Sequence, residues 1–98
     1  MLHLISTMTI RTGSADALLA AARTVIAETR KEPGNISYDL LHSTTQPDIF
    51  VFLERWRDRA ALDAHLQADH FKAWRKAGEN VVLSRKIEII SDAKIETL

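Results

Sequence analysis

The run from Ile49 to Trp56 constrains this chain more than any other stretch. Its alternation places Phe50, Phe52, Glu54 and Trp56 on one face and Ile49, Val51 and Leu53 on the other, so a strand here is apolar on both sides. A second β-rich run, Ile36 to Ser43, precedes it across the turn-forming Thr44-Thr45-Gln46-Pro47-Asp48, and the two read as a hairpin. An antiparallel sheet with one wet face would alternate more cleanly, so both faces of this sheet need a cover.

The remaining elements supply one of those covers. Leu2, Leu4, Met8 and Ile10 share one face of a first strand with Ser6 among them, while His3, Ile5, Thr7 and Thr9 share the other. Polar residues interrupt this run, and it has no basic lead-in or small-residue cleavage site. It therefore reads as a strand, neither a signal peptide nor a membrane span. Gly13 and Ser14 break the pattern, with Ser14 as N-cap and Asp16 in the first turn; Leu18, Leu19, Ala22, Val25, Ile26 and Thr29 follow at helical spacing. Arg30 and Lys31 suit the end of that helix, and Pro33-Gly34 stops it. Asp58 caps a second helix that buries Ala61, Leu62, His65 and Leu66. Asp69 is expected to cap again, restarting the helix at His70 and carrying it to Ala77, with Gly78 as the stop. Between Arg85 and Ile95 a fourth strand turns Ile87 and Ile89 one way and Ile90 the other.

The order β-α-β-β-α-β predicts an α+β, ferredoxin-like domain over residues 1–98, with helices on one face of an antiparallel sheet. The other face, carrying Ile5, Val51 and Leu53, still needs a partner. A second copy of the same sheet is the simplest one, which predicts a two-fold homodimer.

Composition narrows the function. With 98 residues, 46% hydrophobic and 27% charged, the chain can build one core and no second domain. It has no cysteine, which fits a reducing cytoplasm. Thirteen basic and thirteen acidic side chains are interspersed, so no surface is built for nucleic acid. There is neither a Gly-rich phosphate fingerprint nor a haem-attachment motif.

The candidate chemistry lies between Trp56 and Trp74, where a strand ends on an aromatic and a helix sets imidazoles beside further aromatics. His65 titrates near neutrality and is the candidate base or anion-stabilising group; its structural alternative is a helix His bonded to a neighbouring strand. Glu54 puts a carboxylate on an apolar face. It is a candidate raised-pKa base or an orienter for His65, or else half of an ion pair with an arginine such as Arg85 or Arg55 of the partner subunit. Trp56, sharing a face with Phe52, can stack on a planar substrate and exclude water, or serve simply as core. Tyr38 can donate its hydroxyl to a substrate oxygen, and Ser6 points with the core residues into the same space. His70 is either a substrate contact or a first-turn residue beside its cap. It follows His65 by five positions, about 140° around a continuous helix, which is not the spacing of a helical metal pair. No metal site is expected. Phe71 and Trp74 read as core, and Asn35 as a turn residue.

Taken together, Glu32-Pro33-Gly34-Asn35 leading to Tyr38, Glu54-Arg55-Trp56, and Ala61-Leu62-Asp63-Ala64-His65-Leu66-Gln67 followed by His70-Phe71 resemble the antibiotic biosynthesis monooxygenase family. The likeness is greatest to its small quinol monooxygenases, with the signalling-molecule isomerases near behind. This resemblance implies a dimeric α+β barrel and the oxygenation of a quinol or related polyhydroxy aromatic by dioxygen, with no metal, flavin or haem cofactor. His65 and Glu54 are the implied catalytic groups; Trp56, Tyr38, His70, Phe52 and Ser6 are the implied substrate contacts. The haem-degrading branch carries an Asn on its first strand, where this chain has Ser6, and its axial His falls where this chain reads Ala73-Trp74-Arg75. The resemblance therefore does not extend to haem degradation. Two alternatives share the pocket: an isomerase or cyclase using His65 as proton shuttle, and a non-catalytic dimeric binder of small molecules.

Overall fold

In β1 (Leu2–Ile10), Leu2, Leu4, Ser6, Met8 and Ile10 are buried and the residues between them only half-buried, as a strand with helices on one side requires. The computed structural model describes residues 1–98. After β1 come α1 (Ala15–Thr29), β2 (Asn35–His42), β3 (Ile49–Trp56), α2 (Arg59–Gln67), α3 (Asp69–Ala77) and β4 (Val82–Ser91). The strands form one antiparallel sheet in the order β2-β3-β1-β4, so the chain is α+β and ferredoxin-like. The second helical segment is split into two helices rather than being one helix with a restart.

The three helices pack on the face bearing Leu4, Met8 and Phe52. Trp56, Phe50, Phe52, Met8, Ile10, Leu18 and Leu62 lose essentially all solvent exposure there. Burial of each large apolar side chain contributes about 1.5–3 kcal/mol. Helix α1 buries Leu18, Ala22, Val25 and Thr29, while Leu19, expected on the same stripe, is 45% exposed.

Helix boundaries depart from expectation in three places. Asp58 caps α2 as predicted, accepting from the Ala61 amide at 2.9 Å. Ser14 occupies the N-cap of α1 without a side-chain cap bond, and α1 ends at Thr29, before Arg30 and Lys31. Arg30 instead reaches β2, donating to the Tyr38 carbonyl at 3.1 Å and pairing with Asp39 at 3.0 Å. Asp69 lies inside α3; the junction residue is Ala68, whose extended backbone (φ −70°, ψ 144°) ends α2 and begins α3. Gly78 follows α3 with φ −80°, so it is not needed for a left-handed cap. The fourth strand begins at Val82 and stops at Ser91, earlier at both ends than the sequence pattern suggested.

Two details position the site. A Cβ at Gly34 would overlap the Ala61 methyl, so glycine lets the loop after α1 lie directly on α2. At the β4 edge, Ile87 and Ile89 pair with Ser6 and Leu4 on the helix-covered face yet remain 48% and 39% exposed. The helices therefore leave that edge partly uncovered. No helix is long and apolar enough to cross a membrane.

Candidate functional site

A cavity of about 330 Å³ lies between the sheet and α2 and α3. Leu4, Ser6, Phe52 and Tyr38 form its sheet wall, Leu62, Leu66, Phe71 and Trp74 its helical wall, and Ile87 and Ile89 its β4 edge. Five ionisable side chains enter this apolar space: Tyr38, Glu54, His65, Arg75 and Arg85. An apolar enclosure with a few convergent polar groups is the usual form of a small-molecule site.

His65 is 1% exposed, in van der Waals surroundings made by Trp56, Phe71 and Tyr38, whose ring centroids lie 4.7, 4.9 and 5.6 Å from its own. Its Nδ1 lies 2.7 Å from Glu32 Oε2. The same oxygen lies 2.8 Å from His70 Nε2. A carboxylate can only accept, so each of these imidazole nitrogens is a donor. His65 is thereby fixed as the Nδ1–H tautomer, with Nε2 left as a lone-pair acceptor and no protein group bonded to it. Desolvation pushes the His65 pKa below its ordinary value, and His70 adds to this; the hydrogen bond and charge of Glu32 oppose it.

The split between α2 and α3 is what brings the two histidines together. The turn at Ala68 removes the continuous helix on which a 140° separation depends, and the two rings come to 5.9 Å. Glu32, His65 and His70 each offer one ligand atom, all within 4.8 Å of one another, so these are the side chains able to close on a metal ion. Binding one there would cost the two hydrogen bonds that now orient both rings.

Glu54 is 5% exposed and accepts from Trp56 Nε1 at 2.9 Å. No arginine pairs with it, and it does not orient His65, a role that falls to Glu32. Burial raises its pKa from 4.5 to about 7; the Trp56 N–H opposes the rise and the Glu32 charge adds to it. Tyr38, buried beside Phe52, is pushed well above the ordinary phenol range by desolvation and then by Glu54, so it stays a hydroxyl donor.

Of the residues singled out from the sequence, Ser6, Tyr38, Phe52, Glu54 and His65 line the cavity together. Trp56 stands behind its wall, fully buried, and His70 stands behind His65; both act on lining residues rather than lining the cavity themselves. Phe71 and Trp74, read as core, are part of the lining. Sequence reasoning took Glu32 only as part of the Glu32-Pro33-Gly34-Asn35 marker and gave it no role in the site. Its signal was its place: an acid just past the C-terminal end of α1, where the helix dipole disfavours negative charge, needs donors from elsewhere.

A family model described as antibiotic biosynthesis monooxygenase matches residues 1–77. The chain belongs to the antibiotic biosynthesis monooxygenase family. An uncharacterised protein of Synechocystis is 37% identical to this family member over 81 residues, 82% of this chain and 55% of that protein. YgiN of Escherichia coli, named a probable quinol monooxygenase, is 43% identical over 44 residues, 45% of this chain and 42% of YgiN. The chain thus spans about half the length of these two relatives. The solved structure of PA3566 from Pseudomonas aeruginosa matches with a TM-score of 0.87 at 33% identity, over 95% of this chain and 94% of that one. The family match ends before β4, so Arg85, Ile87 and Ile89 lie beyond it.

The raised Glu54 pKa has a consequence for stability. Between pH 4.5 and about 7 the folded chain holds a proton that the unfolded chain releases, so stability falls as pH rises through this window. Glu54→Gln keeps an acceptor for Trp56 without the charge. The variant is expected to exceed the parent by about 1–3 kcal/mol at pH 8 and to match it near pH 4. Urea denaturation at both pH values measures the difference, and equal stability at pH 8 would show that Glu54 carries no desolvation penalty.

Proposed function

We propose that the chain is a monooxygenase that uses dioxygen to oxidise an electron-rich hydroxylated ring, a quinol or related polyhydroxy aromatic, and that it needs no metal, flavin or haem. The observation that carries this reading is the Glu32–His65 pair at the cavity wall, which leaves His65 Nε2 as an acceptor among aromatic side chains. The family match and the name borne by YgiN support it.

In this reading His65 Nε2 takes a phenolic proton, and Glu32 stabilises the imidazolium that forms. The resulting anion passes one electron to dioxygen; the radical pair combines to form a ring C–O bond, giving a hydroperoxide. Loss of the ring hydrogen and cleavage of the O–O bond release water and leave a new carbonyl, so that a quinol plus dioxygen becomes a hydroxyquinone plus water. Glu54, protonated below about pH 7, can supply the proton for the departing oxygen. Tyr38 holds a substrate oxygen, and Phe52, Phe71 and Trp74 bury the ring and exclude water from the anion.

The same acid–base pair suits an isomerase that moves a proton without oxygen, which is the second reading. Oxygen uptake coupled to product formation separates the two. We also propose that the domain works as a homodimer through the outer sheet face. Leu41, Val51, Leu53 and Ile5 form a diagonal stripe there, with Leu41 48% and Leu53 37% exposed in the single chain.

His65→Ala is expected to lower turnover on a quinol by a factor of about 10² or more without unfolding the chain. Parent activity should rise with pH through a limb below 6.5, as His65 loses its proton, and fall near pH 7 as Glu54 loses its own. The acidic limb should disappear in His65→Ala. Unchanged turnover in that variant would remove His65 from the mechanism and leave Glu54 as the candidate base.

For the dimer, sedimentation velocity at micromolar concentration should give twice the chain mass, and Leu53→Asp should shift it toward monomer and lower stability together. A parent chain that sediments only as monomer contradicts the assembly.

A further inference from the structure

The chain has five lysine or arginine ion pairs with carboxylates, and neither Arg75 nor Arg85 takes part in one, although both line the cavity. Arg85 Nη2 is buried with no hydrogen-bond partner in the protein. Leaving a charged donor in this state is unfavourable, and a guanidinium with a structural role ordinarily finds a carboxylate or carbonyl. Gly78 makes room for this one: a Cβ there would come within 2.9 Å of Nη2. Beside it Arg75 lies over the Phe71 ring, its Cζ 5.7 Å from the centroid. The two cations are close enough for Arg75 to lower the Arg85 pKa further, after desolvation.

Strand register sets the Arg85 backbone away from that of Glu54. Arg85 pairs with Met8 and Glu54 with Leu4, four residues apart on β1, or about 13 Å along the strand; β3 and β4 flank β1, about 10 Å from each other. A ring held against His65 and Glu54 therefore presents its far substituent to the arginines.

We propose that Arg85, with Arg75 beside it, binds an oxyanion carried on the substrate's ring, a carboxylate or a phosphate ester. The proposal rests on the reading of the cavity as an oxidation site for an electron-rich ring, and it narrows that substrate class to anionic hydroxyaromatics. Planar guanidinium forks suit both oxyanions. Arg85 on β4 and Arg75 on α3 reach this end of the cavity from two different elements.

Calorimetric titration under nitrogen tests binding apart from oxygen chemistry. The probes are 2,5-dihydroxybenzoate, its methyl ester, 4-hydroxyphenyl phosphate and hydroquinone. At least one anion is expected to bind about tenfold or more tighter than its neutral counterpart, the scale of a charge-assisted bidentate contact, and the tighter anion identifies the group. Arg85→Gln should abolish the preference while changing affinity for the neutral ring little, Arg85→Lys should restore only part of it, and Arg75→Gln should weaken it. The melting temperature of Arg85→Gln should equal or exceed that of the parent, since a half-buried guanidinium with an unpaired buried nitrogen is lost. Equal binding of acid and ester, equal loss of both in Arg85→Gln, or binding of neither anion overturns the proposal. Tight anion binding without oxygen uptake in air would instead overturn the oxidation reading alone.

Discussion

One carboxylate oxygen holds the site together. Glu32 Oε2 accepts from His65 on α2 and from His70 on α3, so a loop residue ties two helices to each other and sets the direction of both imidazoles. Charge-assisted bonds of this kind are roughly twice as strong as neutral ones. The arrangement depends on three backbone features: α1 must end at Thr29, the loop must lie close on α2 at Gly34, and the helical segment must break at Ala68. A continuous helix through Ala68 would swing His70 away and leave Glu32 with a single donor.

The fold was largely legible because its signals are periodic. Strand β3 runs from Ile49 to Trp56, as its alternation predicts, and the buried stripe of α2 contains Ala61, Leu62 and His65. Asp58 announced its own cap. What the sequence hid was geometry between elements. Asp69 looks like a cap, yet the extended residue is Ala68, because the break is made by backbone conformation with no side-chain capping bond. Glu32 sits 33 residues from His65 and has no periodic relation to it; only tertiary packing makes them neighbours. Phe71 and Trp74 read as core because an apolar cavity wall and a core present the same pattern.

The cavity divides its labour by solvation. Burial drives His65 and Glu54 toward their neutral forms, one as a base with a free lone pair and the other as an acid titrating at about pH 7. These are the complementary states that the proposed proton transfers require, obtained from environment alone. The uncovered β4 edge gives access to the same space, and its Arg85 brings the opposite condition, charge that the protein itself does not neutralise.

The tautomer of His65 tests the role of Glu32 most directly. Nitrogen NMR of the chain labelled at histidine, recorded at pH 7 without ligand, should show His65 Nδ1 carrying the proton and Nε2 with the shift of an unprotonated acceptor. Glu32→Gln should relax that preference. A parent chain whose His65 is protonated at Nε2 and bare at Nδ1 would contradict the Glu32 hydrogen bond and, with it, the assignment of Nε2 as the base.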